Sequence, residues 1–76
     1  MLVGKLSTGV RERLVVEILE KYKGTRSIDC RLYKILTDGE LVATADGMAI
    51  SPEQVRGFVD LLTEAMKKAE AIHGKG

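Results

Sequence analysis

The chain has 76 residues, of which 12 are Lys or Arg and 11 are Asp or Glu, and its formal net charge is +1. This length predicts a single domain over residues 1–76, and the balanced charge excludes a strong overall attraction to nucleic acid or to anionic membranes. The single Cys30 and the single histidine exclude an internal disulfide and a Cys/His metal cluster, so we expect no metal and no cofactor.

Residues 1–50 are predicted to form strands. We expect a short strand over residues 1–6, then a loop over residues 7–9. In residues 13–23, Leu14, Val16 and Ile18 alternate with more polar residues, which is typical of a strand with one apolar face. Gly24-Thr25 then predicts a turn.

Two further strands are predicted over residues 27–36 and 41–50. Cys30 lies on the apolar side of the first of these, so we interpret it as a small core residue. Asp38-Gly39 predicts a hairpin turn between the two strands, because Asp-Gly tolerates positive φ. Asp46-Gly47 predicts a bulge or bend within the last strand.

One long helix is predicted over residues 52–73. Ser51 suits the N-cap, Pro52 suits the first helical position, and Gln54 stands at the spacing of a capping box. Apolar residues recur every three or four positions along this helix, and one small sheet cannot cover the whole stripe. We therefore expect a homodimer, with three interface residues: Phe58, Leu62 and Met66.

The apolar runs are far shorter than the about 20 residues that cross a bilayer, and no export signal follows Met1. We therefore expect no membrane partner. The expected location is cytoplasmic or nucleoid-associated, or nuclear in a eukaryote.

No arrangement of residues resembles an active site, so we do not expect an enzyme. Tyrosines and cations do share two neighbouring strands, with Tyr22 and Lys23 on one and Arg31 and Lys34 on the next. Bases stack on aromatic rings and cations bind phosphates, so this combination suits single-stranded nucleic acid. The alternative interpretation is a solvated sheet face with cross-strand charge pairs.

Three blocks of residues resemble the positive cofactor four (p15) family of single-stranded-DNA-binding transcriptional coactivators. Gly39-Glu40-Leu41 followed by residues 47–54 resembles the passage from the family's last strand into its helix. Residues 29–33 resemble its Asp-Ile-Arg-Glu-Tyr segment, and residues 22–24 resemble its aromatic-Lys-Gly turn. The blocks align without a gap from Tyr22 to Gln54.

The resemblance implies an α+β fold in which a four-stranded curved antiparallel sheet precedes one long C-terminal helix. It also implies a homodimer formed largely through the helices. Tyr22 would stack on bases, Lys23 would contact a phosphate and Arg31 would contact the ligand on the sheet face. Together with the nearby cations, the predicted nucleic-acid-binding residues are Tyr22, Lys23, Arg26, Arg31 and Lys34, with Lys21 and Arg13 close by.

The chain departs from the family pattern at several positions. Lys34 stands where the family has a second stacking Trp, and Val42 stands where it has a lysine. Ala45 and Asp46 replace a basic pair, and Val55 replaces an aromatic residue at the start of the helix. A stacking platform and several cations are therefore missing.

Our first hypothesis is a non-sequence-specific single-stranded-DNA-binding protein of the coactivator type, acting in transcription or in DNA replication and repair. Transcription or replication proteins are then further partners, and the choice between DNA and RNA stays open. The alternative is a dimeric protein-interaction module of the same fold that has lost nucleic-acid binding. The missing Trp and the near-neutral charge favour this alternative.

Overall fold

The computed structural model describes residues 1–20 and 22–74 as one curved open sheet followed by one helix. The four strands and the helix, in chain order, are β1 (Leu2–Gly9), β2 (Glu12–Glu20), β3 (Arg26–Ile35), β4 (Leu41–Ile50) and α1 (Val55–Gly74). Short 3₁₀ turns at Tyr22–Gly24 and Pro52–Gln54 connect β2 to β3 and β4 to α1. This is the predicted fold class.

The strands form an antiparallel meander in the order β1-β2-β3-β4. The predicted loop at residues 7–9 is wrong, because β1 pairs with β2 as far as the Gly9–Glu12 pair. The pairing supplies hydrogen bonds to a segment whose small polar residues are typical of a loop. Strand β2 also ends earlier than predicted, so Tyr22 and Lys23 lie in the turn after it.

An irregularity in β4 lies where the sequence predicts a bulge. Tyr33 pairs with Ala43 and Arg31 pairs with Gly47, so residues 44–46 stand opposite Leu32 alone. A Cβ atom at Gly47 would lie 2.7 Å from the Cys30 carbonyl oxygen and 2.9 Å from the Arg31 Cα. Gly47 therefore allows β4 to approach β3 closely beside the bulge.

The register divides the sheet into two faces. The apolar face carries Leu14, Val16 and Ile18 of β2, which pair with Leu32, Cys30 and Ile28 of β3. The polar face carries the side chains of alternate positions, including Val15, Glu17, Asp29, Arg31 and Tyr33. Among the described residues Val15 is the only buried hydrophobic residue, at 3% exposure, so the core of one chain is very thin.

The predicted capping residues begin the 3₁₀ turn at Pro52, and the α-helix itself starts three residues later than predicted, at Val55. Gln54 Oε1 accepts hydrogen bonds from the Ser51 backbone N–H at 3.2 Å and from the Ser51 hydroxyl at 2.8 Å. Beyond Phe58, every residue from Val59 to Ile72 is exposed. The sheet of the same chain therefore covers only the beginning of the apolar stripe on α1.

Candidate nucleic-acid interface

The turn between β2 and β3 presents an aromatic ring together with a cation. The Tyr22 side chain is 81% exposed, and the Lys23 ammonium nitrogen lies 5.4 Å from the centre of its ring. Lys23 adopts a left-handed backbone conformation with φ 59°, and Gly24 follows at φ 76°. Thr25 closes the turn by donating its hydroxyl proton to the Tyr22 carbonyl at 2.8 Å. The turn thus holds both side chains outside the sheet.

Arg26 extends the positive charge of this turn onto the first residue of β3. It is exposed and lines a shallow surface hollow with Met1, Ile18 and Glu20. Tyr22, Lys23 and Arg26 thus lie at one end of the sheet, which we call the turn surface. Lys21, predicted to lie nearby, falls outside the described residues.

Arg31 lies in the middle of the polar face and is held by neighbouring groups. Its Nε and Nη2 donate to the two carboxylate oxygens of Asp29, each at 3.2 Å, and its Nη1 donates to the Thr44 carbonyl at 3.1 Å. The hydrogen bond to the Asp29 carboxylate, together with its charge, raises the pKa of Arg31. Asp29 is buried, at 7% exposure. The guanidinium that we predicted to face a ligand is therefore engaged within the sheet.

Two other polar groups of this face also have partners within the chain. Arg13 donates to the carbonyl oxygens of Gly9 at 3.0 Å and Glu12 at 2.7 Å. The Tyr33 hydroxyl donates to Glu17 Oε1 at 3.2 Å. Desolvation raises the pKa of Tyr33, and the charge of the Glu17 carboxylate raises it further. The alternative interpretation expected cross-strand charge pairs on this face, whereas the ion pair of the described residues, Asp29–Arg31, lies within β3.

Lys34 is not brought together with the other predicted residues. It pairs with Glu12 and Val42, and alternation along β3 puts it on the face opposite to Arg31 and Tyr33. Lys34 follows Arg26 by eight positions along the extended strand, a distance of roughly 26 Å. Lys34 therefore belongs to the other end of the sheet from the turn surface.

An open groove of about 510 Å³ lies between the apolar face and the start of α1. Its apolar lining residues are Leu14, Cys30, Leu32, Met48, Phe58 and Leu62. Cys30 is only partly buried, so it lines this groove rather than a closed core. The sequence predicted Phe58 and Leu62 for the helix stripe but could not reveal the groove, which needs residues from β2, β3, β4 and α1.

The described part of the chain offers no cluster of three or more His, Cys, Asp or Glu side chains that could hold a metal ion. Within the same residues, no helix combines the length and the apolar character that crossing a membrane requires.

A four-stranded antiparallel meander that leads through a capped turn into one C-terminal helix defines a small α+β protein. Two crystal structures of BPSL1147, a PC4 homolog from Burkholderia pseudomallei K96243, share this fold with a TM-score of 0.77 and 26% sequence identity. The likeness covers 87% of this chain, and 88% of BPSL1147 in the orthorhombic form or 96% in the tetragonal form. The predicted resemblance to the positive cofactor four family is confirmed by the fold that the chain shares with these PC4 homologs.

Compared by sequence alone, the chain matches no family model and no curated protein.

Proposed function

We propose that the chain is a non-catalytic homodimer that binds single-stranded nucleic acid with little sequence preference, acting in transcription or in DNA replication and repair. The observation that carries the proposal is the exposed Tyr22 ring beside the Lys23 ammonium, on a sheet of the PC4 type. Single strands expose the faces of their bases and their phosphates, which are the groups that a ring and a cation bind.

The turn surface supplies both kinds of contact. Lys23 approaches one face of the Tyr22 ring, and a base can stack on the other. Arg26 and Lys23 then provide two cations for the adjoining phosphates. Neither contact reads the edge of a base, so we expect weak sequence preference.

The homodimer is supported by the apolar surface that one chain leaves exposed. Leu62 and Met66 of α1 are 53% and 52% exposed, although both lie on the apolar stripe of the helix. The groove beside them is lined by apolar residues of the sheet. Monomeric proteins rarely expose such a continuous apolar surface, and a second copy offers a matching one.

The runner-up function, a dimeric protein-interaction module without nucleic-acid binding, is favoured by one specific observation. The guanidinium groups of Arg13 and Arg31 both donate to acceptors within their own chain, so these two cations of the polar face are already engaged, and Lys5 of β1 is an exposed cation on that face. Val42 and Asp46, at positions where the family carries lysines, add no positive charge.

The test is the fluorescence anisotropy of a labelled oligothymidylate, titrated with the protein at low and at moderate salt. We expect binding at low salt that weakens as salt rises, because phosphate contacts release counterions. Stacking is worth about 1–3 kcal/mol per base, so Tyr22→Ala should weaken binding roughly ten- to a hundredfold. Tyr22→Phe keeps the ring and is the matched control, with affinity close to that of the parent.

Two results would reject nucleic-acid binding in favour of the interaction module. One is the absence of binding by the parent at low salt. The other is equal affinity of the parent and the Tyr22→Ala variant.

A further inference from the structure

The contacts of Arg31 decide whether its charge is available to a ligand. Three of the five N–H groups of the guanidinium have acceptors, two on the Asp29 carboxylate and one on the Thr44 carbonyl. Asp29 and Arg31 also form the only ion pair among the residues that the structure describes. Arg31 thus faces an internal anion in the geometry that it would use for a phosphate.

The burial of Asp29 makes this pair hard to separate. Its side chain is only 10% exposed, whereas that of Arg31 is 29% exposed. Glu17, the cross-strand neighbour of Asp29, is a second carboxylate, so the site would hold two like charges if Arg31 left it. A phosphate that took Arg31 away would leave Asp29 buried without a counterion, which is strongly unfavourable.

We propose that Asp29 is an affinity-determining residue, which withholds Arg31 from the phosphates of a single strand lying along the polar face. This inference rests on the proposed function, because it concerns the affinity for the same ligand. The strand then binds mainly at the turn surface. Loss of the charge on Asp29 would release Arg31 as an additional phosphate contact.

The test compares three variants with the parent in the oligothymidylate titration, each over a series of salt concentrations. Asp29→Asn keeps the size of the side chain and removes its charge. The double variant Asp29→Asn/Arg31→Gln removes both charges, preserves the net charge and leaves no unpaired ion. Asp60→Asn makes the same chemical change at an exposed position of α1 and is the matched control.

We expect Asp29→Asn to bind roughly tenfold more tightly than the parent at low salt, through one new charge-assisted contact. The slope of log affinity against log salt should become steeper by about 0.7, the increment for one phosphate on a single strand. The double variant should return to the parental slope, and Asp60→Asn should not depart from it. Circular dichroism establishes that each variant is folded.

Several results would overturn the inference. Asp29→Asn could bind like the parent, or Asp60→Asn could tighten binding equally, and in both cases the proposed function would survive.

If Asp29→Asn does not fold, the double variant decides the matter: a slope of log affinity against log salt shallower than that of the parent means that Arg31 already contacts phosphate. If neither the parent nor Asp29→Asn binds, both proposals fail. If only Asp29→Asn binds, the inference holds and nucleic-acid binding by the native chain is rejected.

Discussion

The hydroxyl of Tyr33 donates a hydrogen bond to Oε1 of Glu17 at 3.2 Å, although Tyr33 pairs with Arg13 in the register of the sheet. The hydrogen bond therefore joins β3 to β2 diagonally, and Val15 lies between Arg13 and Glu17 on the same face of β2. Val15 is the one buried hydrophobic residue that the described part of the chain contains. This hydrogen bond thus links β2 and β3 on the same face as the buried Val15.

This hydrogen bond predicts a loss of stability at alkaline pH. Desolvation and the Glu17 carboxylate raise the pKa of Tyr33 in the fold above its unfolded value of about 10. The contribution of neutral Tyr33 is therefore fully present below about pH 10 and is lost as pH rises through the folded pKa. Denaturant unfolding over this pH range should show a smaller alkaline loss for Tyr33→Phe than for the parent. Tyr22→Phe retains Tyr33 and should keep the parental loss. An equal loss in the parent and in Tyr33→Phe would contradict the prediction.

A side chain added at Gly47 should lower the stability of the protein through steric clash. A Cβ atom there would lie within 3 Å of the backbone of Cys30 and Arg31, so Gly47→Ala should destabilise the protein by about 1–3 kcal/mol. Gly57 on α1 has no atom within 4 Å of the same added group, and Gly57→Ala should stabilise by about 0.5–1 kcal/mol. Chemical denaturation measures both changes. Similar effects of the two substitutions would refute the close approach of β3 and β4.

Lys23 predicts a local change in the salt dependence of binding. Lys23→Ala removes one proposed phosphate contact, so the slope of log affinity against log salt should become shallower by about 0.7. Lys67→Ala removes the same charge from an exposed position on α1 and should leave the slope unchanged. Anisotropy titrations with the labelled oligonucleotide give both slopes. Equal changes would mean that only the overall charge matters.

The proposed homodimer predicts a strong effect at Leu62. An Asp at this position would bury an unpaired charge, which costs several kcal/mol, so Leu62→Asp should dissociate or unfold the protein. Ala71→Asp introduces the same charge at an exposed position outside the proposed interface residues and should keep the dimer. Light scattering should give twice the monomer mass of 8.3 kDa for the parent. A parent mass near 8.3 kDa at micromolar concentration would remove the dimer proposal.

The hairpin between β3 and β4 predicts a gain of affinity. Val42→Lys with Asp46→Lys restores cations where the family carries them, and should tighten oligonucleotide binding if the strand crosses this hairpin. Val42 pairs with Lys34, so the new lysine also opposes a like charge, and a small loss of stability should accompany the gain. Unchanged affinity in the folded double variant would restrict the ligand to the turn surface.

Local patterns were sufficient to predict most of the elements. The alternation through Val16, Cys30 and their neighbours requires extended strands, and the register places these two residues opposite each other on the apolar face. Ser51 and Gln54 predicted the start of the helix, because capping depends on residues three positions apart. The loop predicted at residues 7–9 failed because its hydrogen-bond partners lie in β2, beyond any local pattern.

The sequence by itself determined the composition of the predicted site, with tyrosines and several cations on or beside two strands. Only the tertiary structure decided which of those cations are free. The bulge in β4 places the Thr44 carbonyl beside Arg31. The buried carboxylate of Asp29 forms an ion pair with the same guanidinium. The physical reason is that hydrogen bonding and desolvation depend on neighbours that are distant in the chain, whereas strand alternation and helix capping depend on neighbours only a few residues away.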